Sequence, residues 1–183
     1  MGSLSGQSPP PAVAERREAV PLCVDLDGTL VDTDTLYESF LAAIRRRPLA
    51  VFPLLLTLLK HGRPAFKEEA ARRGVLRADT LPYRRDLLAF LESRRAERQQ
   101  PLVLATAAHR LVAESIAGHL GLFDLVIATE RENLRGAAKR QALEARFGAR
   151  GFDYAGNGAD DLAVWEGARE AVLVNVSNAV RAR

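Results

Sequence analysis

The feature that most constrains the fold is a set of five short, almost continuously apolar runs. Runs of this kind are typical of parallel strands whose two faces are both covered, whereas a half-exposed strand would alternate. The runs are Val20–Leu26, Pro101–Thr106, Phe123–Ala128, Phe152–Gly156 and Ala171–Val176. Helical patterns lie between the later runs, at Leu111–Leu120, Lys139–Arg146 and Asp161–Arg169. This alternation predicts an α/β fold with an open, parallel, Rossmann-like sheet of five strands and right-handed crossovers.

The first two runs are separated by residues 27–100, which is far more chain than a crossover needs. Four helices are predicted in this stretch, at Leu36–Arg47, Leu49–Lys60, Ala65–Arg73 and Tyr83–Arg98. We therefore expect a small helical cap, residues 33–98, inserted after the first strand. The core domain is predicted over residues 19–32 and 99–183. Residues 1–18, rich in Ser, Gly and Pro, are expected to form a disordered leader.

The positive charge of the chain is concentrated in the insertion. The net charge is +3, and residues 33–98 hold 14 Lys and Arg against 8 Asp and Glu. No basic motif with interleaved aromatic residues is present, which argues against a nucleic-acid partner. The excess fits solvated helix faces, an anionic substrate or a membrane surface. The apolar run 49–59 is too short to span a bilayer, and it fits either a buried or docking helix or an interfacial membrane contact.

Two carboxylates, Asp25 and Asp27, directly follow the first apolar run, and Gly28 then opens a loop. In open α/β sheets, ligands bind at the carboxyl ends of the strands. Paired carboxylates at such an edge suit Mg²⁺, and a carboxylate can also attack phosphorus. A neighbouring carboxyl can protonate the leaving oxygen and later activate water. The pattern therefore indicates metal-assisted phosphoryl chemistry.

The segment Asp25-Leu26-Asp27-Gly28-Thr29-Leu30 resembles the first motif of the haloacid dehalogenase-like (HAD) superfamily, and the resemblance extends over residues 20–176. Most members are Mg²⁺-dependent phosphohydrolases. The resemblance implies that Asp25 is the nucleophile and a metal ligand. It implies that Asp27 is the general acid/base and binds the metal through its backbone carbonyl. Gly28 would lie at the phosphate, and the helical insertion would be the cap that selects substrate.

The resemblance assigns two further positions to the phosphoryl group. Thr106 ends the second apolar run, where its hydroxyl and the backbone N–H of Ala107 would hold a phosphoryl oxygen. Lys139 precedes a predicted helix, where its ammonium would balance the charge of phosphate and carboxylates. Arg135 and Arg140 compete with Lys139 for this role.

The last motif departs from the family pattern. Asn157 stands where the family usually has an acid, Asp161 keeps the second acidic position, and Asp160 is an extra acid. An amide oxygen can still bind Mg²⁺, so the predicted metal ligands are Asp25, Asp27, Asn157 and Asp161. The lost negative charge is expected to weaken metal binding.

The runs FDYAGN and NLRGAAK look like those of HAD domains fused ahead of UbiA-type prenyltransferases. That resemblance implies a polyprenyl-linked or sugar phosphate as substrate. It also implies association with a membrane surface or a prenyltransferase, and a place in the cytoplasm at the inner face of the membrane. We expect a Mg²⁺-dependent phosphomonoesterase with a small-molecule substrate. The alternative is a catalytically weak module that binds phosphate and Mg²⁺ and that docks on, or is fused to, a membrane prenyltransferase. Dehalogenase or phosphomutase chemistry on the same fold stays open.

Overall fold

The protein, described here from a computed structural model, contains a five-stranded parallel sheet of order β3-β2-β1-β4-β5. The structure describes residues 20–74, 76–97, 100–130 and 133–183, so the predicted leader 1–18 lies outside it. The strands are β1 Leu22–Val24, β2 Leu102–His109, β3 Leu125–Thr129, β4 Asp153–Gly156 and β5 Ala171–Leu173. The predicted α/β fold with five parallel strands is confirmed.

Seven α-helices lie in the described parts of the chain, joined by short 3₁₀ turns at Pro48–Ala50, Ala78–Thr80 and Ala159–Asp161. They are α1 Thr35–Arg46, α2 Val51–Arg73, α3 Arg85–Ala96, α4 Arg110–Leu120, α5 Ala137–Phe147, α6 Leu162–Gly167 and α7 Asn178–Arg181. None of the helices in the described residues is both long and apolar enough to cross a membrane.

The two faces of the sheet are buried by different helices. Alternate residues of a strand point to opposite faces, so Leu22 and Val24 pack with α3 and α4, whereas Cys23 packs with α5 and α6. In register with Cys23, Tyr154 of β4 lies on the same face as that cysteine and is fully buried. Burial on both faces explains why the strands read as continuous apolar runs.

The insertion contains α1 and α2, which form a small apolar cluster of their own around Ala43, Leu54 and Ala70. The helical path of α2 is broken at Gly62, whose φ of 76° lies in the region that favours glycine. This break falls between the two helices predicted at Leu49–Lys60 and Ala65–Arg73. Gly62 therefore divides α2 into two halves, 51–61 and 63–73.

Helix α3 was predicted within the cap, but its contacts lie elsewhere. Leu87 and Leu91 of α3 are buried in the main cluster together with Leu22 and Leu102 of the sheet. By its packing this helix belongs to the layer that covers the sheet, because its apolar residues find their burial there. The division of the chain into core and cap at residues 33 and 98 stays a prediction.

Candidate active site

The loop after β1 and the loop after β4 meet at the carboxyl edge of the sheet. Asp25 N donates a backbone hydrogen bond to Ala155 O at 2.9 Å, which fixes the end of β1 beside β4. Gly28 follows with φ +75°, and a Cβ at this position would lie only 2.4 Å from Nδ2 of Asn157. Thr29 Oγ1 donates to Asn157 Oδ1 at 3.2 Å. Only a glycine allows Asn157 to pack this closely against the Asp25–Asp27 loop.

A chain of buried hydrogen bonds holds Asp25. Lys139 Nζ lies 2.7 Å from Asp25 Oδ1 and 2.8 Å from the hydroxyl of Tyr154. The Tyr154 hydroxyl in turn donates to Asp161 Oδ1 at 2.7 Å, and Lys139 Nζ is 3.9 Å from the same oxygen. Lys139 therefore lies between two carboxylates from opposite ends of the sequence, and its role in balancing the charge of a phosphate stays a prediction.

The two other basic residues considered for this role lie elsewhere. Arg135 pairs with Asp160 at 2.5 Å at the rim of the cavity. Arg140 pairs with Glu144 at 2.8 Å and with Glu166 of α6 at 3.2 Å. Only Lys139 of these three contacts Asp25, because the first turn of α5 directs it under the end of β1 while its neighbour faces α6.

Two opposed influences act on Asp25. Burial raises the pKa of Asp25, and the adjacent Lys139 ammonium opposes that rise without cancelling it. Burial, with the nearby carboxylates of Asp25 and Asp161, raises the pKa of Tyr154 well above its ordinary value, so its hydroxyl keeps its proton and donates. The ammonium thus supplies positive charge that favours the ionised form of Asp25 in this buried place.

Asp27 is held differently. Its Oδ1 accepts a hydrogen bond from the backbone N–H of Thr35 at 2.8 Å, at the start of α1. Burial raises the pKa of Asp27 to about 6, although the hydrogen bond from Thr35 opposes the rise. A carboxyl with this pKa exists in both protonation states near neutral pH, which suits a group that must donate and later accept a proton.

The predicted metal ligands are oxygen donors of the kind that Mg²⁺ binds. The carboxylate of Asp25, the backbone carbonyl of Asp27 and the side-chain oxygen of Asn157 belong to the loops that meet at this edge, and their chemistry fits the ion. Asp161 is already engaged, because Oδ2 accepts from the N–H groups of Asn157 and Gly158 at 2.9 and 3.0 Å. Its evident contribution is to orient the Asn157 loop, and direct ligation by Asp161 stays a prediction.

Five aspartates line the cavity, but they are dispersed around it. Among the residues that the structure describes, no three acidic, histidine or cysteine side chains come together in a group that could hold a metal ion. Asn157 in the usual place of an acid accounts for part of this, since an amide at that position contributes oxygen without charge.

Thr106 lies within β2, three residues before the end of the strand. It is buried, and its Oγ1 accepts a hydrogen bond from the N–H of Ala108 at 2.9 Å. Strand β2 continues past Thr106 to His109, so the residues that reach the cavity on this side are Ala107, Ala108 and His109. Gly28 and Thr106 do not line the cavity, whereas Ala107 does. A contact between the Thr106 hydroxyl and a phosphoryl oxygen stays a prediction.

The cavity above these residues has a volume of about 230 Å³ and is lined from both the sheet edge and the helical insertion. Thr35 and Ser39 of α1 and Lys67 of α2 line it from the insertion. Lys67 Nζ donates to Ala107 O at 2.8 Å and to Asn133 Oδ1 at 2.8 Å. Lys67 therefore carries positive charge from the insertion to the mouth of the site.

Sequence reasoning missed two residues of this arrangement. Tyr154 was interpreted only as part of an apolar strand, yet a buried tyrosine needs a partner for its hydroxyl, and that requirement was a usable signal. No sequence pattern identified Lys67, because its spacing does not distinguish it from the other lysines and arginines of the insertion. Asp34, to which no chemistry was assigned, caps α1 by accepting from the N–H of Leu36 at 2.8 Å.

Comparisons with known proteins show the family and the fold. The family profile described as haloacid dehalogenase-like hydrolase matches residues 22–166. The uncharacterized protein y4nM of Sinorhizobium fredii is 38% identical over 156 residues, which are 85% of this chain. The chain spans only 30% of the length of that relative.

Solved structures share the fold. A phosphoserine phosphatase in a phospho-aspartyl intermediate analogue form superposes with a TM-score of 0.60 at 13% identity, over 91% of this chain and 91% of that chain. A predicted phosphoglycolate phosphatase from Haemophilus somnus superposes with a TM-score of 0.56 at 16% identity, over 87% of this chain and 89% of that one. At these identities the likeness shows the fold alone.

Proposed function

Because the chain belongs to the haloacid dehalogenase-like hydrolases, we propose that it is a Mg²⁺-dependent phosphomonoesterase that acts through an aspartyl-phosphate. The observation that carries this proposal is the 2.7 Å contact between Lys139 Nζ and Asp25 Oδ1 in a buried setting. The Lys139 ammonium opposes the effect of burial on Asp25 and favours the ionised carboxylate that nucleophilic attack requires. When bound at Asp25, Asp27 and Asn157, Mg²⁺ would neutralise charge on the phosphoryl oxygens.

In the first step, Asp25 attacks the phosphorus atom through Oδ2, because Oδ1 is held by Lys139. The bond between phosphorus and the ester oxygen breaks, and Asp27 in its protonated form gives its proton to that oxygen. In the second step, ionised Asp27 takes a proton from water, and the resulting hydroxide attacks the phosphorus of the aspartyl-phosphate. Inorganic phosphate leaves and Asp25 is restored.

The lining of the cavity favours a small polar substrate. Lys67 and Arg135 place two cations at the mouth, and the larger apolar residues of the lining are Leu36 and Val112. We therefore propose a sugar phosphate or a similar phosphomonoester as substrate. A polyprenyl-linked phosphate would place only its phosphate and first polar groups in the cavity, with the chain outside it.

The likeness of FDYAGN and NLRGAAK to domains fused with UbiA-type prenyltransferases supports a related proposal, in which such an enzyme supplies or receives the phosphate. The relative y4nM extends well beyond the matched segment and is therefore long enough to contain a further domain. In that arrangement the domain would work in the cytoplasm at the inner face of the membrane.

The test is phosphate release from a panel of polar and prenyl-linked phosphomonoesters, with Mg²⁺ or with EDTA. We expect release that requires Mg²⁺ and is abolished in Asp25→Asn. Asp32→Asn is the matched control, because it makes the same chemical change on the same loop at an exposed carboxylate that pairs with Arg84. Release that persists in folded Asp25→Asn would refute the nucleophile assignment.

A second candidate function is a phosphate- and Mg²⁺-binding module with little catalysis. The observation that favours it is Asn157, whose oxygen accepts from Thr29 and which supplies no charge. Asn157→Asp distinguishes the two functions when Mg²⁺ affinity is measured calorimetrically beside turnover. A large gain in both from an inactive wild type supports the binding module, and an active wild type with no gain supports a phosphatase adapted to the amide.

A further inference from the structure

The turn Pro48–Ala50 and the first half of α2 present an apolar face that the described residues do not cover. Leu54 is fully buried toward α1, but Leu49, Phe52 and Leu59 are 77%, 68% and 82% exposed. These three residues and Leu56, which is 50% exposed, are spaced by three or four positions. That spacing places them on one side of the helix. We call Leu49, Phe52, Leu56 and Leu59 the leucine face.

The charge around the leucine face is of one sign. Residues 39–67 contain six Lys and Arg and no Asp or Glu. Arg46 and Arg47 end α1 just before Leu49, and together with Arg72 and Arg73 they line a groove of about 330 Å³. Arg72 and Arg73 are paired with Glu68 and Glu69, whereas Arg46 and Arg47 have no acidic partner within the described residues.

We propose that the leucine face docks on the surface of an anionic lipid bilayer, with its apolar side chains at the acyl boundary and Arg46, Arg47 and Lys60 among the phosphate headgroups. An amphipathic helix with exposed large apolar side chains flanked only by cations is the chemistry that such a surface binds. The long aliphatic stems of arginine and lysine let their charged ends reach the headgroups while the helix lies lower.

A protein partner is the weaker explanation of these observations. An apolar protein surface would account for the leucines but leaves the arginines without counter-charges. The charged residues within 39–67 are all positive, and a continuous anionic surface complements them because each cation can pair with a lipid phosphate.

The experiment is co-sedimentation of the full chain with vesicles of two compositions, phosphatidylcholine alone and an equimolar mixture with phosphatidylglycerol. We expect binding to the anionic vesicles that weakens with added salt, and little binding to the neutral ones. Leu59→Asp and Phe52→Asp should each weaken binding by roughly tenfold, because a charge cannot enter the acyl boundary. Both side chains are exposed, so these changes remove no core contact.

Leu111→Asp is the matched control, since Leu111 is 48% exposed on α4 and is not part of the leucine face. It should bind as the wild type does. The double change Arg46→Gln and Arg47→Gln should reduce the dependence of binding on salt. No binding to anionic vesicles, or an equal loss in Leu111→Asp, would overturn the proposal.

The wild type is also examined by sedimentation equilibrium without lipid. A dimer that Leu59→Asp converts to monomer would overturn the proposal in favour of a second copy of this chain. The readouts are binding and mass, so the result does not depend on whether the chain is a phosphatase.

Discussion

The hydroxyl of Tyr154 offers the sharpest test of the buried network. It donates to Asp161 Oδ1 at 2.7 Å and accepts from Lys139 Nζ at 2.8 Å, and the residue is fully buried. Tyr154→Phe deletes both bonds and leaves two buried charged groups each with one partner fewer. Lys139 keeps Asp25, and Asp161 keeps two backbone N–H groups, so the site loses part of its hydrogen bonding and not all of it.

A hydrogen bond to a charged group contributes roughly 1.5–3 kcal/mol, and two bonds that share one hydroxyl are not additive. We expect Tyr154→Phe to lower the free energy of unfolding by about 3 kcal/mol. That is a large share of the 5–15 kcal/mol typical of a domain. The measurement is equilibrium unfolding in urea followed by circular dichroism, with the slope against urea unchanged.

Tyr83→Phe provides the matched control. The Tyr83 hydroxyl is also buried but has no hydrogen-bond partner in the described residues. Deleting it should change the free energy of unfolding by less than about 0.5 kcal/mol or raise it, because no bond is lost. If the two variants differ from the wild type by the same amount, the hydrogen-bond network around Lys139 does not stabilise the protein and the reasoning is refuted.

Three further predictions concern the loops around the site. Burial raises the pKa of Asp27 to about 6 from its ordinary value of 3.8. At a pH above the folded pKa, ionised Asp27 therefore lowers the free energy of unfolding by up to about 3 kcal/mol, and below about pH 4 it lowers it by little. Asp27→Asn should accordingly raise the free energy of unfolding near pH 8 but not near pH 4, as measured by urea titration. A gain that is equal at both pH values would contradict this. Gly28→Ala should abolish phosphate release and lower the free energy of unfolding by about 1–2 kcal/mol, because its Cβ would meet Asn157. Its control is Gly118→Ala, which has open space around the new Cβ and should leave both phosphate release and stability unchanged or raise the stability. In steady-state kinetics, Lys67→Met should raise KM with little change in kcat, and the control Lys60→Met should change neither. A fall in kcat alone would mean that Lys67 acts in the chemical step and not in substrate binding.

The strands were predictable because each one is covered on both faces, and burial on both faces selects apolar residues throughout. Their ends were not. The first run was predicted over Val20–Leu26, but only Leu22–Val24 form the ladder, since the chain turns into the Asp25–Asp27 loop. The second was predicted to stop at Thr106, but β2 reaches His109 through an irregular pairing with β3. Apolar residues indicate which part of the chain is buried, but burial does not indicate where the hydrogen-bonded pairing between strands ends.

The residues of the site were predictable where a single residue type suits the role, as a lysine suits a buried position between carboxylates. The family resemblance asks for a lysine near the start of a helix, which selected Lys139 with two arginines as competitors, and the structure brings Lys139 to Asp25. Tyr154 was missed because a tyrosine in an apolar strand fits the core equally well without any role. The apolar run 49–59 fitted two interpretations, and the structure divides it, with Leu54 buried and Leu59 exposed.

The hydrogen bond from Thr35 N–H to Asp27 Oδ1 has a consequence for the proton transfer proposed above. An oxygen that already accepts a backbone N–H is a poor place for a second hydrogen, so the acidic proton of Asp27 resides on Oδ2. In the proposed reaction the leaving group would then approach Oδ2, and the water of the second step would occupy the same position. The backbone amide at the start of α1 would thus select which of the two oxygens of Asp27 exchanges the proton, before any substrate arrives.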